Sequence, residues 1–346
     1  GFGVPAANVR SFVAHGIMSR IGSRLHRYIP NTVDSMLHPS FGRWAARSLR
    51  PDSDVVYGFS GVMEEILSKP PPRSKQLRVM VRASAHIREQ AQILDEEQER
   101  VGASLDGPSD WMIDREEREY ELADKIVVLS RFAFKSFLSQ GVPPNRLERC
   151  RLGVDLGHFR ASDIVIAERV KRVVGGAPLR VLTTGTFSYR KGARDLADVA
   201  AALSKKMVFR FVGDQLPETS DLAHRSSQHI EFIDRQPEKS LVRHYDWADV
   251  FFFPTVEDGF PAVLLQAAAA GLPIIATPNC SAPDFVVEGK TGWICPVRDA
   301  NGFIRRLSWC DENRDAFAMM SQTVSRANHE WDWVGVAGEF VSMCLR

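Results

Sequence analysis

Two short runs carry charge in a form that suits chemistry. The first is Glu257-Asp258-Gly259-Phe260-Pro261, directly after the apolar run Val250-Phe-Phe-Phe253. Proline has no N–H to lose, so a helix can start at Pro261 without sacrificing a hydrogen bond. A turn of this kind aims backbone N–H groups and a helix dipole at whatever lies above the sheet edge. That is an anion site, with carboxylates beside it for hydroxyl groups. The second run is Thr184-Gly-Thr-Phe-Ser-Tyr-Arg-Lys-Gly192. A strand leads to Gly185, and Arg190 and Lys191 stand where a helix starts. A planar fork next to a point charge suits a diphosphate. Gly-Lys-Ser/Thr is missing, which excludes a P-loop. A solvated basic turn is the alternative. His86 closes Arg82-Ala-Ser-Ala-His86, at the carboxyl end of a strand, where open α/β sheets bind ligands. It can hydrogen-bond a hydroxyl or a phosphate there, or be a capping or core histidine.

The elements that must position these groups alternate. Strands are expected at 54–58, 77–82 and 125–129, then at 179–184, 208–212, 230–233, 250–253 and 272–276, with helices at 41–49, 88–101, 114–123 and 262–270. Alternation of this kind builds parallel α/β sheets. The pattern breaks over 151–176, where Gly153, Gly157 and Gly175-Gly176-Ala-Pro178 read as a linker. Two Rossmann-like domains in tandem follow, residues 1–165 and 166–329, with a cleft between and a closing helix over 330–346.

The composition is that of a soluble globular protein, 44% hydrophobic and 25% charged. No apolar run of 18 residues exists to span a membrane. Five scattered cysteines without a C-x-x-C pair argue for reduced thiols and a cytoplasmic protein. No metal constellation is visible, since His329-Glu330 lacks the second histidine of a zinc helix. Gly58-Phe-Ser-Gly61 is not a nucleophile elbow and reads as a glycine loop near the cleft.

The run from Val250 to Thr277 resembles the donor-sugar segment of family 4 retaining glycosyltransferases, acidic-Gly-Phe-Gly/Pro-x4-Glu-Ala-x-Ala-x-Gly. Asp258 falls on the first acidic position, and Gln266 stands where the second Glu is usual. Lys191 matches the diphosphate-binding Lys of Gly-Arg-x4-Lys-Gly; Thr186 holds the Arg position, and Arg190 can replace that charge. Gly153-Val-Asp-x3-Phe159, Phe211-Val-Gly-Asp214 and Glu288-Gly-Lys-Thr-Gly-Trp293 agree in order. The resemblance covers about residues 125–345. It implies the GT-B fold: two facing Rossmann-like domains, with a terminal helix crossing back to the first. It implies a hexosyltransferase-type enzyme moving sugar from a UDP- or GDP-sugar to a glycan or lipid-linked acceptor in polysaccharide or glycolipid synthesis, without metal, cofactor or nucleic acid. His86, Asp258 and Lys191 would be catalytic. Gly185, Arg190, Lys191, Glu257, Gly259, Phe260, Pro261 and Gln266 would bind donor, with Asp258 on the sugar and Gln266 on the ribose. Thr186 and Gln266 also motivate a weakened binding or scaffold subunit. An epimerase of the same fold is a third reading.

The first 50 residues hold seven Arg against one acid, Asp34. Val13, Ile17, Ile21 and Leu25 recur at a spacing of four within an expected helix over 8–28. The plainer reading is a buried apolar face with solvated arginines. The other is a cationic face resting on anionic lipid at the inner face of a membrane.

Overall fold

The computed structural model describes residues 8–26, 28–69, 76–327 and 333–346. The expectations at Arg27, His329, Glu330 and Trp331 lie outside these residues, as does the side chain of Arg24. Two helices, α1 (Val13–Leu25) and α2 (Pro30–Ser48), precede the first alternating series. That series is β1 (Val55–Phe59), α3 (Glu64–Leu67), β2 (Leu77–Arg82), α4 (Ile87–Val101), α5 (Asp110–Leu122), β3 (Lys125–Val128), α6 (Arg131–Ser139) and β4 (Leu147–Arg149). Next come α7 (Asp163–Val174), β5 (Leu179–Phe187), α8 (Ala193–Leu203), β6 (Met207–Gln215), α9 (Ser220–Ser226), β7 (Ile230–Ile233), α10 (Glu238–Trp247) and β8 (Val250–Phe253). The chain closes with α11 (Ala262–Ala269), β9 (Ile274–Ala276), β10 (Gly292–Ile294), α12 (Ala300–Glu312), α13 (Arg314–Arg326) and α14 (Trp333–Cys344).

The strands form two parallel sheets. The first has the order β1-β2-β3-β4 and the second β10-β9-β8-β5-β6-β7. Parallel strands are covered by helices on both faces, so they read as continuous apolar runs. Val250-Phe-Phe-Phe253 is buried along its whole length for this reason.

Three expectations are corrected. The stretch 151–176 is not a bare linker, because α7 occupies most of it. Ser162 caps α7, and its Arg169, 1% exposed, donates to the carbonyls of Ala270, Gly271 and Tyr245. A boundary at 165/166 would cut this helix, which packs wholly with the second sheet. The helix expected from Phe41 begins at Pro30; Pro39 lies inside it and hides the longer period. The stripe of α1 is not buried. Val13, Ile17, Ile21 and Leu25 are 46–71% exposed. The helix docks through other residues: Phe12 stacks on Trp44, His15 packs on Phe41, and Gly22 abuts Leu37.

The two sheets face each other across a cleft tied at its margin. Arg100 of α4 pairs with fully buried Asp195 of α8 at 2.6 Å. Arg298 donates to Glu96 and Glu97, each at 2.8 Å, and to the Ile93 carbonyl. Its backbone is left-handed, φ 65°, which is unusual for a residue with a side chain. α14 lies on the first sheet, where Val336 and Met343 join Val79, Val81, Val127 and Leu129 in one apolar cluster. No described helix is long and apolar enough to cross a membrane.

Candidate functional site

The order of the second sheet reverses between β8 and β5. In open parallel sheets ligands bind beyond the carboxyl ends of strands at such a point. Both charged runs leave the sheet here, one from β5 and the other from β8. Ser188 Oγ accepts from Lys191 N, and Gly192 then turns left-handed, φ 78°. A Cβ on Gly192 would lie 2.0 Å from the Pro254 carbonyl oxygen. Glycine is therefore what lets the loops touch. The Arg190 carbonyl accepts from Val256 N at 2.9 Å. From the β9 side, Thr277 Oγ1 donates to the Thr255 carbonyl at 2.6 Å, and Asp258 N donates to the Asn279 carbonyl at 3.0 Å.

Each cation faces a carboxylate. Lys191 Nζ is 2.6 Å from Asp258 Oδ2, and both side chains are partly open to the cleft. Arg190 reaches Glu257 Oε2 at 2.7 Å. Glu257 is fully buried. It accepts from Ser84 Oγ, from Ala85 N at 3.3 Å and from Gln90 Nε2 at 3.3 Å, all on the first domain. Burial alone would raise the Glu257 carboxyl, but Arg190, Ser84 and Lys191 outweigh it and hold it below its ordinary value. Glu257 therefore grips Arg190 from behind, while Asp258 faces the open side.

The other expected residues divide. Gly185 is exposed at the end of β5. At Gly259 the domains approach closely: a Cβ there would lie 1.9 Å from the Ala83 carbonyl oxygen. Phe260 is buried in the apolar cluster with Val81 and Leu129, so its ring braces the domains. Pro261 caps α11 and is not its first helical residue. Gln266, on α11, accepts from the Tyr245 hydroxyl at 2.9 Å, which also bonds Thr184 Oγ1. That contact uses the amide oxygen of Gln266 and not its N–H groups.

His86 is 3% exposed. Its Nδ1 accepts from Arg88 N at the start of α4, and its ring packs against Tyr120 and Phe137. Burial, with help from Arg82 and Arg88 and against Glu117, pushes it down to about 4. The imidazole is neutral at pH 7, serving as cap and core side chain. Sequence reasoning missed Ser84, Gln90 and Tyr245. Ser84 sits two residues before His86, but its partner Glu257 is 173 positions away, and nothing local announces that contact.

Among the described residues no group of three His, Cys, Asp or Glu could hold a metal ion. All five cysteines are free.

Residues 178–313 match the family model described as glycosyl transferases group 1. The chain is 26% identical over 183 residues to a putative colanic acid biosynthesis glycosyltransferase, WcaL, of Salmonella typhimurium, covering 49% of this chain and 43% of that protein. It is 27% identical over 231 residues to a GDP-mannose-dependent alpha-(1-6)-phosphatidylinositol monomannoside mannosyltransferase of Mycobacterium tuberculosis, covering 62% and 60%. The chain thus spans about half the length of the curated relatives it matches. Among solved structures it resembles Anabaena Alr3699/HepE in complex with UDP, with a TM-score of 0.65 and 15% identity over 88% of this chain and 83% of that one. It also resembles sucrose-phosphate synthase from Thermosynechococcus elongatus, with a TM-score of 0.66 and 17% identity over 89% and 77%. The fold is GT-B. In this GT-B chain the segment that matches the family model holds both charged loops, from Gly185 to Gln266.

Proposed function

We propose that this chain is a retaining glycosyltransferase of family 4 that moves a sugar from a nucleotide-diphosphate sugar to an acceptor hydroxyl. The observation that carries the reading is the pairing of Lys191 with Asp258 and of Arg190 with Glu257 at the reversal point of the second sheet. The hard step is loss of the nucleotide diphosphate, where negative charge grows on the leaving oxygen. Positioned cations and N–H dipoles meet that demand directly. A diphosphate entering beside β5 would draw Lys191 from Asp258, freeing that carboxylate to accept from sugar hydroxyls. Arg190, braced by Glu257, would hold its position. Gln266 would donate to a ribose hydroxyl. The two cations can match the diphosphate charge, so this reading needs no metal ion. Retention implies front-face attack, with the departing phosphate oxygen taking the acceptor proton.

The relatives named for colanic acid and for phosphatidylinositol mannoside synthesis support a glycan or lipid-linked acceptor and UDP or GDP as the nucleotide. The exposed stripe of α1, Val13, Ile17, Ile21 and Leu25, supports peripheral contact with the cytoplasmic face of a membrane. An amphipathic helix in an arginine-rich segment favours anionic lipid.

Calorimetric titration of wild type and Lys191→Ala with UDP, GDP and ADP tests the donor site. Binding of one nucleotide that is lost in the variant supports the reading and names the donor. Absence of binding to all three sinks it in favour of a scaffold subunit.

A further inference from the structure

Two adjoining cavities with shared lining residues lie beside Arg190. The outer one, about 930 Å³, sits between the α1–α2 hairpin, the loop after α4 and Leu216–Glu218 of the second domain. The inner one, about 260 Å³, shares His26, His38 and Asp106 with it and ends at Arg190. Together they make a route from solvent to the donor cations. Their size is that of a small-molecule site, ~300–1,000 Å³.

The hydrogen-bonding character of the junction is specific. Asp34 is 5% exposed. Its Oδ2 accepts from Ser109 Oγ at 2.6 Å and its Oδ1 from His26 Nε2 at 3.1 Å. His38 Nδ1 lies 2.9 Å from the Gly61 carbonyl oxygen. A carbonyl can only accept, so Nδ1 carries the proton. Burial, with Arg115 and against Asp34, Gly61 and Glu116, lowers His38 from its ordinary value. Its Nε2 faces Asp34 Oδ1, 3.7 Å away. A hydroxyl entering that gap can donate its one proton to the buried carboxylate. A phosphate oxygen brings no such proton and would meet the charge of the carboxylate.

The charges along the route agree. Asp34, Asp106 and Glu218 line the outer cavity, with no Lys or Arg among its described lining residues. Of the arginines of the inner one, Arg82 is matched by Glu116, and Arg190 at its end belongs to the donor side. We propose that these cavities are the acceptor site and that they take an uncharged saccharide end, with a hydroxyl held between Asp34 and His38. This rests on the glycosyltransferase reading and narrows its acceptor to a hydroxyl-rich, phosphate-free terminus. A lipid-linked acceptor would enter sugar first, its phosphate kept outside.

The test is saturation-transfer NMR of the full chain with saturating nucleotide. The probes are methyl mannoside and methyl glucoside against mannose phosphate and glucose phosphate. The proteins are wild type, His38→Ala and Leu216→Trp, the last blocking the mouth from the other domain without touching the polar junction. At least one glycoside should bind, and both variants should weaken it up to about tenfold, His38→Ala by the worth of one hydrogen bond and Leu216→Trp by blocking entry. Nucleotide affinity, measured in the same samples, should hold. Tighter binding of the phosphates, glycoside binding unchanged in both variants, or no glycoside binding while nucleotide binds would each overturn the proposal. Loss of nucleotide binding in the wild type would overturn the reading beneath it.

Discussion

The two walls of the cleft are built in opposite ways. On the second domain, four charged side chains come from two contiguous loops, 188–192 and 254–261, which leave neighbouring strands of one sheet. On the first domain, Asp34 and His38 share one turn of α2, while Gly61, Arg82 and Ser109 come from three other places. A wall made for a diphosphate needs clustered cations and N–H groups, which a strand–loop–helix turn supplies from consecutive residues. A wall made for hydroxyls needs single acceptors at the right separation, which any packed elements can supply. The first kind leaves a mark in sequence, and the second leaves one only in space.

The comparison breaks most sharply at Lys191. Lys191→Ala should lower transfer about 10²–10³-fold, the usual loss when one charge-stabilising group is removed. Steady-state rates with the identified donor measure this. A fall under tenfold would mean that the second wall does not carry the chemistry.

Glu257 joins the walls, and Glu257→Ala should destabilise the chain by about 2 kcal/mol. Ser84 Oγ, Ala85 N and Gln90 would lose their acceptor and Arg190 its partner. Thermal denaturation reports this, and an unchanged midpoint would show that the first domain does not grip Glu257 in solution.

Acid should weaken the first wall next. His86 is held near 4, so between its ordinary value of 6.5 and about 4 the unfolded chain takes up a proton that the folded chain refuses. Stability therefore falls as pH drops through that window and levels off below it. Glu257, held below its ordinary value, adds a loss at still lower pH as it protonates. Urea midpoints at pH 7 and pH 5 should differ in wild type and less in His86→Gln.

The smallest effect is expected at Gln266→Glu. Tyr245 can donate to a carboxylate as well as to an amide oxygen, so the helix should be undisturbed. A ribose hydroxyl would gain a charged acceptor, raising nucleotide affinity about threefold to tenfold. Weaker binding in calorimetry would mean that the Gln266 amide donor is what this site uses.

Legibility followed the same division. The strands at 77–82, 125–128, 230–233 and 250–253 could be read almost to the residue, because each is a short run rich in β-branched, aliphatic or aromatic residues. The glycine and proline punctuation around Gly192 and Pro261 marked both charged loops of the second domain. α7 was hidden between glycine pairs that mimic a linker. The period of α1 suggested a buried face because amphipathicity shows that a face exists, not what covers it. Here the α2 side is covered by Phe12, His15 and Gly22, and the aliphatic stripe is left outside.

What the sequence by itself determined is the alternation that makes two parallel sheets, and the charge carried by two loops, since both depend on residues close together in the chain. What only the tertiary structure decided is which carboxylate faces the cleft. Asp258 and Glu257 are adjacent, but successive residues of an extended segment point opposite ways. One reaches Lys191 at the cleft; the other is buried against Ser84 and Gln90 of a different domain. The placing of His38 beside Asp34 is of the same kind. Its ring is held by a carbonyl 23 residues away, brought there by the packing of α2 against α3 and α5.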